Sequence, residues 1–128
     1  MSRYFISQPM RDKKMEDVLK EREAISEIIR KYDPEAVIIP MLEDDISDKS
    51  TPLECLGLSI NRLGGSDLAV FASDWWTARG CFLEHACCKE YDIPHVDLVL
   101  KASSKENHAV EVMIRHSICD IKNSDNKL

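Results

Sequence analysis

The spacing of apolar positions changes repeatedly along this chain, and each change marks a new element. Residues 3–7, RYFIS, form a short β-rich run closed by Gln8 and Pro9. Beyond them the period lengthens: Val18, Leu19, Ala24, Ile25, Ile28 and Ile29 recur at helical spacing among charges, which predicts an amphipathic helix reaching Lys31. The run AVIIP (36–40) is continuous and stopped by proline, the pattern of a strand buried on both faces. Residues 41–52, MLEDDISDKSTP, are acidic and rich in turn formers, so a surface loop is expected there. A second helix is predicted over Leu53 to Leu63, closed by Gly64 and Gly65. The pattern repeats with a strand at DLAVFA (67–72), a helix over 79–91, a strand at HVDLVL (95–100) and an amphipathic helix over 106–118. Residues 119–128 are expected to fray.

Strands alternating with helices of this length imply right-handed crossovers and a parallel sheet of four to five strands covered on both faces: a three-layer α/β/α domain spanning 1–128. Such sheets bind ligands beyond the carboxyl ends of their strands, where strand order reverses. That rule selects three loops: Ser7 to Asp12, Pro40 to Pro52, and Ala72 to Gly80.

Composition narrows the functional classes. A net charge of −6 disfavours a broad nucleic-acid surface, although a local cationic spot can still hold one phosphate. No apolar run spans a bilayer and the start lacks a signal-peptide layout, so no membrane partner and a cytoplasmic location are expected. The five cysteines contain no CxxC pair and suggest reduced thiols.

The segment SDWWTARGCFLEHACCKEY (73–91) concentrates the candidate chemistry. Glu84 falls about one turn inside a helix whose positive end favours an ionised carboxylate, although an early-turn acid is also favoured for stability alone. Gly80 admits a ligand close to the backbone, and Arg79 beside free helix N–H groups makes a local anion site. Trp75 and Trp76 are suited either to stacking on a planar base or to capping an interface. Cys81, Glu84, His85 and Cys88 share one helical face, but neither that metal reading nor a catalytic Cys81 with a lowered pKa is adopted: no metal and no cofactor are expected.

YFISQPM at the end of the first strand, SDLAVF, and Arg79-Gly80-x3-Glu84 together resemble the nucleoside 2-deoxyribosyltransferase-like superfamily, in particular a bacterial and phage branch with ISGPM and W-x-x-S-x-G-A-x-x-E segments. The likeness covers about residues 3–116. It implies a flavodoxin-like fold, a nucleoside or nucleotide ligand, and Glu84 as the nucleophile that attacks C1′ and displaces the base. Ser7, Gln8, Pro9 and Met10 then belong to the substrate loop, with Trp75, Arg79 and Gly80 facing them. The resemblance also implies a homodimer or larger homo-oligomer, with the helix containing VMIRHS carrying Glu111 toward a neighbour's pocket. The chain departs from the transferases at Phe5, where they carry an aromatic hydroxyl, at Ala78, where they carry the acid, and at Ser59, where an aspartate often helps hold the sugar. Asp74 is the candidate replacement for the missing acid, its other reading being a turn aspartate. A pocket retained without turnover is the alternative function.

Overall fold

The computed structural model describes residues 1–42, 50–102 and 107–125. Its elements run β1 (Arg3–Ser7), α1 (Met15–Tyr32), β2 (Val37–Ile38), α2 (Pro52–Gly64), β3 (Leu68–Phe71), α3 (Arg79–Glu90), β4 (His95–Asp97) and α4 (His108–Asp125), with a 3-10 turn at Trp75–Thr77. All four strands are parallel, in the order β2-β1-β3-β4. Strand order therefore reverses between β1 and β3, as in a doubly wound sheet.

Strand alternation sorts the core into two layers. Tyr4, Ile6, Leu68, Val70 and Val96 meet Ile25 and Ile29 of α1 and Val110, Ile114 and Ile118 of α4. Phe5, Ala69 and Phe71 point the other way, toward Leu63 of α2 and Cys88 of α3. Because β1 and β3 are covered on both sides, they read as unbroken apolar runs. Tyr4 and Phe5 thus face opposite layers, and the Tyr4 hydroxyl donates to the buried Asp33 carboxylate at 2.6 Å. Its deprotonation is suppressed, first by burial and then by that hydrogen bond.

Several boundaries differ from the sequence pattern. The expected strand 36–40 is regular only at Val37–Ile38, although Ile39 N–H still donates to Tyr4 O. Of the expected strand 95–100, Val99 and Leu100 are exposed beyond the sheet. The loop expected over 41–52 lies partly outside the described residues, as does the start of the helix expected at 106. The tail expected to fray from 119 continues α4 to Asp125, because Ile121 is buried and Lys122 reaches Asp33 at 3.6 Å and the Tyr32 carbonyl at 3.4 Å. The apolar residues of α4 chiefly fill the chain's own core: Val110, Ile114 and Ile118 are buried there, and Met113 packs against them. Among the described residues no helix is long and apolar enough to cross a membrane.

Candidate functional site

The carboxyl end of β1 opens into a cleft with two adjoining lobes. An outer lobe of about 750 Å³ lies between α2 and the start of α3, lined by Thr51, Leu53, Leu56, Arg79, Gly80 and Leu83 among others. An inner lobe of about 260 Å³ reaches toward Phe5, Ser7, Arg22 and Arg62. Gln8, Met10, Leu42, Cys55, Ser59 and Glu84 border both. The outer lobe alone has the size of an ordinary small-molecule site.

Three elements converge on Glu84. Thr51 caps α2 by accepting a hydrogen bond from Glu54 N–H, and Pro52 follows at a position whose missing N–H costs nothing. The helix so started presents Ser59 to α3. Its hydroxyl donates to one oxygen of Glu84, while the Ser7 hydroxyl, at the end of β1, donates to the other at 2.7 Å. The carboxylate is thus fixed in orientation at the point where strand order reverses. Burial raises its pKa above the usual carboxylate value, although the Ser59 and Ser7 hydrogen bonds oppose that shift. The helix N-terminus favours the ionised form, but desolvation is the larger effect.

The same balance applies to Cys81. Burial pushes its thiol up to about 11 despite a hydrogen bond with Ser7, so it is neutral near pH 7 and lines the outer lobe as a small apolar group. Gly80 also lines that lobe, and a Cβ there would meet no atom within 4 Å, so the space is open to a ligand. Arg79 is exposed beside it and, among the described residues, has no hydrogen bond or ion pair. Gln8 donates its amide to Val18 O at 3.0 Å and to Glu21 Oε1 at 3.1 Å. Its own Oε1 is buried without a partner. That leaves an acceptor on a residue that borders both lobes.

Other expected site residues are turned elsewhere. Asp74 is held by Lys13 at 2.5 Å and does not line the cleft, so it is not presented to a ligand there as an acid. Trp75 lies flat on His85, ring centroids 3.7 Å apart at an interplanar angle of 7°, so that face is already taken. Pro9 is buried and Trp76 is exposed, and neither lines the cleft. Glu111 belongs to the opposite layer, where Lys31 Nζ and the Tyr32 hydroxyl both donate to its Oε1 at 2.6 Å. Those contacts hold its carboxyl below the usual range. The face of Cys81, Glu84, His85 and Cys88 is buried as a unit, but Glu84 reaches toward Ser7 while His85 reaches Asp97 on β4.

Ser59 is the residue whose role the sequence pattern misses: it marks a missing aspartate there and holds the nucleophile candidate here. Arg22 and Arg62 were missed as well. Arg22 donates to the carbonyls of Ile6 and Ile39, and Arg62 to those of Pro40 and Met41, which ties both helices to the strand ends around the inner lobe. Set against family models, curated proteins and solved structures, the chain has no match in any of the three.

Proposed function

We propose that the cleft binds a nucleoside or nucleotide and that Glu84 cleaves its N-glycosidic bond. The observation that carries this reading is a buried carboxylate aimed by two serine hydroxyls at a ligand-sized cleft on the carboxyl end of the sheet. A Glu84 oxygen forms a bond to C1′ as the bond from C1′ to the base nitrogen breaks, and the electron pair leaves with the base, which takes a proton from solvent. Water or a second base then attacks C1′ and releases Glu84, so configuration is retained through two inversions. The Arg79 guanidinium, without a hydrogen bond or ion pair among the described residues, supports a ligand that carries a phosphate.

A second reading is favoured by one observation. Among the described residues lining the two lobes, Glu84 is the single carboxylate; Ala78 lines the outer lobe and Asp74 is held by Lys13. A described lining with one acid suits a module that binds the nucleotide and does not turn it over. Incubation with a panel of nucleosides and monophosphates, followed by chromatography for free base and mass spectrometry for a sugar adduct, separates the two. Free base lost in Glu84→Gln is the expected result. Saturable binding without base release supports the module, and no binding across the panel rejects both.

A further inference from the structure

Beneath the aromatic turn, next to Glu84 on the buried face of α3, His85 meets two residues of β4. One ring nitrogen each from His85 and His95 and one oxygen of Asp97 lie within 4.8 Å of one another. His85 Nε2 is 2.9 and 3.0 Å from the two Asp97 oxygens. His95 Nδ1 lies 2.9 Å from the Ile93 carbonyl, which can only accept, so in the neutral ring the proton sits on Nδ1 and Nε2 keeps its lone pair. A backbone carbonyl that fixes the tautomer in this way is the usual support for an imidazole that binds a metal through its other nitrogen.

The rings are also held in place. Trp75 covers one face of His85, and Phe71 meets both imidazoles edge-on. The Asp97 side chain is 44% exposed, which leaves an entry path. An imidazole–carboxylate pair alone accounts for His85 and Asp97, but it gives no reason for a second imidazole nitrogen within 4.8 Å of both. We propose that His85, His95 and Asp97 bind a divalent transition-metal ion, zinc(II) or a similar one, with a further position open to solvent. Two nitrogens and one carboxylate oxygen suit such an ion better than magnesium or calcium, which prefer all-oxygen sites. At metal–ligand distances of about 2.0–2.2 Å, ligand atoms sit roughly 3.3 Å apart, so binding closes the widest gap by up to about 1.5 Å. The ion ties α3 to β4 and steadies the helix that carries Glu84.

The test uses the full chain stripped with chelator and titrated with cobalt(II), then competed with zinc(II). One equivalent is expected, with visible ligand-field bands, no sulfur charge-transfer band, and quenching of tryptophan emission because Trp75 touches His85. Calorimetry on His95→Gln and on Asp97→Asn should show affinity lower by at least about 100-fold with the far-ultraviolet spectrum unchanged, whereas Cys119→Ser should bind as the parent does. Failure of the folded parent chain to take up one equivalent overturns the proposal. So does uptake that survives both ligand substitutions or carries a thiolate band.

Discussion

Glu84 is a buried acid on α3 whose charged form burial disfavours. Its folded pKa is raised, by burial above all, so the folded chain binds this proton more readily than the unfolded one. The associated stability is present below the unfolded pKa and is lost as pH rises through the folded one. Glu84→Gln, which keeps the shape without the charge, is therefore expected to raise the thermal midpoint at about pH 7 and to change it little near about pH 3.5. Turnover should fall at least about 1000-fold. Calorimetric scans at the two pH values check the first part, and an unchanged midpoint at neutral pH contradicts it. Ser59→Ala removes one of the two hydroxyls on this carboxylate and should cost about 1–3 kcal/mol of stability, read by urea unfolding. It should also move the acid limb of the pH–rate profile upward, since Ser59 is the larger of the two hydrogen bonds that lower the Glu84 pKa. The place of Glu84 in the early part of α3 is legible in the chain because the helix behind Arg79-Gly80 is a local pattern. Ser59 and the true partner of Trp75 are not, because both depend on how one element packs on another.

At the level of elements, local pattern was a good guide where burial on both faces leaves a continuous apolar run, as in β1 and β3, and where charges separate a clean stripe, as in α1. It was a weaker guide at ends. The polar stretch after Cys119 has the composition of a frayed tail, yet Ile121 completes the stripe begun by Val110, Ile114 and Ile118, at helical spacing, and Lys122 reaches back to α1. Those contacts are distant in sequence and outweigh local composition. Ile121→Ala should accordingly lower stability by about 2–3 kcal/mol, the usual cost of truncating a buried isoleucine, whereas a frayed tail would tolerate it. A shift of the urea midpoint without a change in slope identifies the loss as one of packing.

For the whole molecule, the proposed homodimer needs a face with apolar surface to spare. The sequence pattern pointed to α4, but its apolar stripe is occupied by the chain's own sheet, and Glu111 would have to leave both Lys31 and Tyr32 to serve a neighbour. The opposite layer carries the surplus: Leu53 and Leu58 on α2, Trp76 in the turn, and Phe82 and Leu83 on α3 are all exposed. Leu53 and Leu83 also line the outer lobe, so a partner seated here would cover the cleft mouth. A two-fold contact on this layer would close both sites at once. The expected solution state is thus a homodimer, with a mass by light scattering at micromolar concentration of twice the 14.6 kDa chain. The double substitution Leu53→Glu and Phe82→Glu should yield a folded monomer, since two exposed side chains change and the core does not. A parent chain that is monomeric and still binds nucleotide would contradict a composite site, and a dimer that survives the double substitution would move the contact to another face.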